Sequence, residues 1–327
     1  MRTALTELLG IEAPIVLAPM GGAVTPVLAA AVSNAGGLGT LPLIHSTPGE
    51  VGSTVAEMTA LTDRPFAVNL ILEWDQRDRL TAALDAGAPA ISLFWGDAAE
   101  LVPVAQDAGA VVLVSVGSVD EAARAVAAGA DVIVAQGWEA GGHVRGTVTT
   151  LALVPRVVDT VDPVPVVAAG GIADGRGLAA VLMLGAAGAW IGTRFLAARE
   201  SSIHDDYRQR VLEAAETDTY YGDLFDGGWP DAPHRVLRNS TVEAWEAAGR
   251  PAPGERPGEE DDVAARADGS PIKRYASATP HVSTTGDIEA LPNWAGQGVG
   301  LVTRVQPAAE IVQELVADAE RILAKSA

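Results

Sequence analysis

The stretch AQGWEAGGHVRG, Ala135 to Gly146, sets one histidine, His143, among four glycines directly after the apolar run ADVIV. Imidazole is the side chain whose protonation changes near neutral pH, so it can take or give a proton in catalysis. A lone histidine in a turn is ordinarily a solvated surface residue, and what anchors its loop decides between the two roles. Two amides stand in comparable positions. Gln136 ends the same apolar run and Asn69 lies within FAVNLIL; each can offer a donor and an acceptor to the edge of a planar ring. Two further segments, AAGGI with Gly170 and Gly171 and IGTRF with Gly192 and Thr193, carry glycine where a side chain would block backbone N–H groups from an anion. Close packing of a strand against a helix is the other use of such glycines.

The elements that must position these residues repeat along the chain. Short apolar runs cover 14–20, 37–43, 66–72, 90–96, 111–116, 131–137, 164–171 and 189–195, and alanine-rich helical stretches lie between them. Several of those stretches end in Ala-Gly or Leu-Gly, as helix C-termini do. Continuous apolar strands between helices mean a parallel sheet covered on both faces. Eight in series predict an α/β fold of the (β/α)8 TIM-barrel class; the runner-up, an open doubly wound sheet, fits the count and even spacing less well. Function in such a barrel sits at the C-terminal ends of the strands, with phosphate after strands seven and eight. Those ends carry APMGG with Pro19, Met20 and Gly21, then Asn69, FWGD, Gln136, and the two glycine segments.

The pattern breaks near Glu200. Residues 201–248 read as polar helical material rich in Trp and Tyr, and GRPAPGERPGEEDD (249–262) as an exposed loop without periodicity. PNWAGQGVGLV (292–302) and an amphipathic helix over 307–324 follow. The expected organisation is a barrel of residues 1–200 plus 291–327, with 201–290 as a helical and loop insertion acting as a lid.

Composition excludes other chemistries. The 327 residues hold 42 acidic against 22 basic side chains, a net charge of −20, which repels nucleic acid and anionic membranes. Without cysteine there is no disulfide or thiolate nucleophile. The histidines His45, His204, His234 and His281 form no pair with metal-ligand spacing, so no metal is expected. No leader peptide or membrane span is read, which makes the cytoplasm the expected location. Trp95, Phe94 and Trp138 are candidates to wall a substrate pocket, Phe94 equally a core residue.

Taken together, APMGG, NAGGLGTL, QGWEAGGH, PVVAAGGIADGRG, GAWIGTRFL and WAGQGVGLV resemble the nitronate monooxygenase family, formerly called 2-nitropropane dioxygenases. That family is similar to FMN-dependent enoyl-acyl-carrier-protein reductases. The resemblance implies non-covalent FMN, its phosphate on Gly170, Gly171, Gly192 and Thr193. The ring would lie near Pro19, Met20, Gly21, Asn69 and Gln136, with Gly141 and Gly142 beside it and Gln297 closing over it. FMN rather than FAD is expected because no GxGxxG follows the first strand to hold a pyrophosphate. His143 would be the general base that takes a proton α to a nitro group. The substrates would be a small nitroalkane or nitronate and dioxygen, and a homo-oligomer stays open. The alternatives are an FMN-dependent NAD(P)H oxidoreductase acting on a quinone or an enoyl thioester, and a non-catalytic barrel that binds a phosphometabolite. One departure stands out: the next glycine follows His143 by three residues, as HVRG, where relatives carry it after two, so no role passes to Arg145.

Overall fold

The computed structural model describes residues 1–43 and 46–326; His45 lies outside the described residues. Strands β1 (Ile15–Leu17), β2 (Gly39–Pro42), β3 (Phe66–Ile71), β4 (Ala90–Phe94), β5 (Val111–Val116) and β6 (Val132–Gln136) run parallel. A two-residue strand, β7 (Gly142–His143), follows outside this sheet, and β8 (Val166–Ala169) and β9 (Gly188–Ile191) complete it in the order β1-β9-β8-β6-β5-β4-β3-β2. The ring is closed between β1 and the start of β2: Val16 bridges Leu38, and the Leu17 N–H donates to the Leu38 carbonyl at 2.9 Å. The fold is therefore a TIM barrel.

Alternation along each strand divides the core into two layers. Val16, Leu38, Leu113, Val134, Val167 and Trp190 fill the barrel, plugged from below by Leu5 and Leu9 of the N-terminal helix Ala4–Leu9. The alternate residues Leu17, Val68, Ile91, Val112, Ile133 and Val166 pack outward against the helices. Burying each such side chain contributes about 1.5–3 kcal/mol. The C-terminal helix Ala308–Ser326 joins this outer layer through Ala308, Ile311, Val312 and Leu315. One expected strand is shorter than its apolar run. The run over 189–195 stops at Ile191, and after Gly192 the chain turns into the short helix Thr193–Leu196. Gly192 thus sits at the strand end, not within the strand.

The segment after the barrel is not only helix and loop. Helices Asp205–Glu213 and Ser240–Ala247 are interleaved with β10 (Thr219–Gly222) and β11 (His234–Leu237), then β12 (Asp262–Ala265), β13 (Pro271–Lys273) and β14 (Thr285–Gly286). TYYG and HRVL are rich in aromatic and branched residues that suit strands, but at four residues each they are too short to show a period. One small antiparallel sheet has the order β13-β12-β14; the other, β10-β11-β7, recruits the barrel's own Gly142–His143. The acidic loop 249–262 is organised by Arg256, whose side chain is 8% exposed, ion-pairs with Asp226 at 3.0 Å and with Glu259, and lies 4.3 Å from the Tyr275 ring centre. Among the described residues no helix is long and apolar enough to cross a membrane, and no cluster of three metal-ligating side chains occurs.

Candidate active site

A cavity of about 650 Å³ opens at the C-terminal ends of the barrel strands. Its wall brings together the expected residues from distant parts of the chain: Pro19, Met20 and Gly21 after β1, Asn69 on β3, Gln136 on β6, Gly141, Gly142 and His143 beyond it, Gly170 and Gly171 after β8, and Gly192 and Thr193 after β9. Phe94 also lines it, while Trp95 packs edge-on against Phe94 with ring centres 5.2 Å apart. The cavity is capped by residues from beyond the barrel, notably Trp229, Thr279 and Trp294.

The amides are held in place by the barrel. Asn69 donates through Nδ2 to the Ser92 hydroxyl at 3.2 Å. Gln136 donates through Nε2 to the His143 carbonyl at 3.0 Å, and its buried Oε1 has no partner. A buried acceptor without a donor costs about 1–3 kcal/mol, so this oxygen is suited to a ligand's N–H. Gly170 and Gly171 have φ of 105° and 71°, a conformation that favours glycine. The Thr150 hydroxyl fixes that turn by donating to the Gly170 carbonyl at 3.0 Å. A Cβ added at Gly21 or Gly142 would meet nothing within 4 Å, so these two leave the floor and side of the cavity clear.

Gly141 has a different use. A Cβ there would lie 2.3 Å from the Gly296 nitrogen, so its bare backbone admits the returning segment NWAGQG. The Gly296 N–H donates to Thr193 Oγ1 at 3.0 Å and the Gln297 N–H to the Glu139 carbonyl at 2.9 Å. The segment therefore reaches the barrel mouth, but its glycines, Gly296 and Gly298, line the cavity; the half-buried Gln297 is not among the lining residues.

His143 sits in an aromatic cage. Trp229 stacks on the imidazole with ring centres 4.0 Å apart at 29°. Trp294 lies at 5.3 Å, Trp95 presents an edge at 6.0 Å, and His234 an edge at 5.6 Å. The buried Nε2 of His143 has no hydrogen-bond partner. Burial, helped by the neighbouring His234, pushes its pKa from the usual 6.5 down to about 3, so the ring is neutral throughout the physiological range. His234 is fully buried and satisfied: Nδ1 faces the Ala232 carbonyl at 2.9 Å and Nε2 accepts the Phe225 N–H at 3.2 Å. These two contacts put its proton on Nδ1.

Arg145 is committed elsewhere, paired with Glu121 at 2.8 Å. Trp138 does not line the cavity; its ring is covered by Arg235 at 4.3 Å. Sequence reasoning missed Trp229, His234, Arg235 and Trp294 as parts of the site. Their only signal was the concentration of aromatic residues beyond the barrel.

A TIM barrel with this cavity, amide pair and glycine turns at its strand ends has the architecture of an enzyme site, and the comparisons place it among the flavoprotein oxidoreductases. The model of the nitronate monooxygenase family matches residues 2–79 and 73–318. A nitronate monooxygenase of Pseudomonas aeruginosa is 35% identical over 97% of this chain and 99% of its own. A 5-hydroxy-7a-methyl-1-oxo-octahydro-1H-indene-4-carboxyl-CoA dehydrogenase of Mycobacterium tuberculosis is 41% identical over 76% of this chain and 70% of its own. The solved structure of FabK from Thermotoga maritima superposes with a TM-score of 0.87, at 33% identity, covering 99% of this chain and 98% of that one. The chain belongs to the nitronate monooxygenase family.

Proposed function

We propose that the protein oxidises alkyl nitronates, and nitroalkanes more slowly, using bound FMN and dioxygen, with His143 as the proton acceptor. The reading rests on one observation: a neutral imidazole is caged beside a cavity that also carries an unpartnered amide oxygen and two glycine turns. The cavity residues fit FMN. Gln136 and Asn69 would meet the ring edge, Gly21 and Gly142 would leave room for its plane, and Gly171, Gly192 and Thr193 would offer N–H groups to the phosphate. When bound, FMN would supply an electron acceptor that dioxygen reoxidises.

The chain's own contribution is to bind, exclude water and move one proton. Trp229 and Trp294 give the alkyl group an apolar wall and keep bulk water from His143. With a neutral nitroalkane, the imidazole takes the α-proton and the C–H electron pair stays on the substrate as the nitronate. The same burial that keeps the ring neutral also makes it a weak base. A preformed nitronate needs no proton removal, and it is the better substrate on this reading. The insertion 201–290 then serves as the cover of the site.

A second reading is favoured by the carboxyl-CoA dehydrogenase relative and by Arg266, an exposed cation at the cavity wall suited to a phosphate. It is an FMN-dependent NAD(P)H oxidoreductase acting on a thioester or quinone. Anaerobic mixing of the flavin-loaded protein with a nitronate or with NADH separates the two. Bleaching of the flavin absorbance by the nitronate alone supports the first reading, and bleaching by NADH alone overturns it.

A further inference from the structure

We propose that Arg235 is a positioning residue for His143, acting through Trp138 and the glycine loop rather than on substrate. The inference rests on the reading that His143 serves in turnover. The loop 137–143 holds three glycines, and Gly142 takes φ of 70°. Such a chain has much conformational freedom to lose, so its order must be imposed from outside. From the barrel side, Gln136 grips the His143 carbonyl. From the insertion side, β11 pairs Arg235 with Gly142 and His234 with His143, and the Val144 N–H donates to the Pro233 carbonyl at 2.8 Å.

Arg235 fastens that pairing. It is 2% exposed, with its guanidinium 4.3 Å from the Trp138 ring centre and 5.2 Å from that of Tyr221. One nitrogen donates to the Trp138 carbonyl at 2.9 Å, another to Thr219 Oγ1 at 3.2 Å, and the buried Nε has no partner. Trp138 belongs to the catalytic loop, while Tyr221 and Thr219 belong to β10. The guanidinium is thus a planar bolt between the barrel loop and the insertion. Among the described residues no carboxylate hydrogen-bonds to it. Burying a cation whose hydrogen bonds go only to one carbonyl and one hydroxyl, with Glu139 acting on it at longer range, is costly. Stability by itself would be met as well by an apolar side chain, whereas a flat, forked cation also fixes the angle at which the loop leaves the barrel.

The test uses the flavin-loaded protein and the variants Arg235→Met, Arg235→Lys and Tyr221→Leu. Flavin content, kcat and KM for a nitronate and a nitroalkane across pH, and hydrogen exchange of residues 137–146 are measured. The expected result for Arg235→Met is retained flavin, faster exchange in 137–146, and a fall in kcat of about 100-fold, the scale of a 1 Å misplacement. Water entering the loosened cage should also raise the acid limb of the nitroalkane profile toward the ordinary histidine value of about 6.5. The groups facing His143 that bear on this limb are His234 on β11 and, beyond Trp95, Arg145 with its partner Glu121. Arg235→Lys, which keeps a charge but cannot stack as a plane, should recover part of the rate. If Arg235→Met does not fold, Tyr221→Leu should show the same changes to a smaller degree. Faster exchange with an unmoved pH profile and kcat would reduce Arg235 to a structural residue and overturn the proposal, as would unchanged exchange. If His143→Ala turns over nitroalkanes like the parent, the base assignment falls, and the proposal with it, whatever the exchange shows.

Discussion

The barrel and the insertion contribute to one site by opposite means. The barrel offers mainly backbone and short amides: glycine turns after β8 and β9, Asn69 and Gln136 on strand ends. The insertion and the returning segment offer large rings, Trp229, His234 and Trp294, closed around a histidine that the barrel loop carries. The barrel's parallel strands hold each other in a closed ring, so its strand ends are rigid. The insertion's strand β11 finds a partner in β7 of that barrel loop. A cofactor cradle can therefore be nearly indifferent to the insertion, whereas the environment of His143 is made by it.

The sharpest way to separate the two halves is His143→Ala. It should keep its flavin and lose about a hundred- to ten-thousand-fold in kcat/KM for neutral nitroalkanes, the range of a general base. The preformed nitronate should suffer far less. Equal losses on both substrates would mean that His143 binds rather than takes a proton.

The converse break lies in the barrel. Gly171→Val forces a branched residue to φ of 71°, with its Cβ 3.1 Å from Glu139 Cγ. Strain of this kind costs about 1–3 kcal/mol. Flavin occupancy, read from visible absorbance, should fall while the far-ultraviolet circular dichroism stays that of the parent. A full complement of flavin would place the phosphate elsewhere.

Acid stability probes the cage directly. Burial depresses the pKa of both His143 and His234 in the folded chain, His143 to about 3. Between the unfolded value near 6.5 and that lower value the unfolded chain binds more protons, so stability falls as pH falls through this window. For His143 the slope approaches about 1.4 kcal/mol per pH unit, and the lowered pKa of His234 adds in the same direction. Thermal midpoints measured from pH 7 to 4 should show it, and His143→Phe should flatten part of it. The same slope in that variant would assign the acid sensitivity to other groups.

The smallest effect should come from Arg256→Ala. Arg256 holds Asp226 at 3.0 Å, and the Asp226 carbonyl accepts the Trp229 N–H at 2.9 Å. Loss of the arginine should loosen Trp229 over His143, raise KM a few-fold and leave flavin content alone. Loss of flavin instead would tie the acidic loop to the cradle.

The barrel was legible because its strands are buried on both faces and read as continuous apolar runs, and because its glycines fall at strand ends. Even the return of WAGQG to the mouth could be read from its motif, although Gly296 and Gly298, not Gln297, line the cavity. The insertion was not legible in the same way. TYYG and HRVL are four-residue strands that pair with each other, HRVL also reaching back to Gly142 and His143 far earlier in the chain, and GERPGEEDD looks structureless until Arg256 is seen to be buried.

By itself the sequence determined the parallel barrel, the glycines at its strand ends and the place of one histidine in the loop after β6, since these follow from local periodicity and from residue types that only certain backbones tolerate. Only the tertiary structure decided that this histidine is half-buried and stacked, with its pKa pushed down. Its burial is the work of Trp229, His234 and Trp294, residues 86 to 151 positions further along the chain, and no local pattern reports which side chains such a loop will meet.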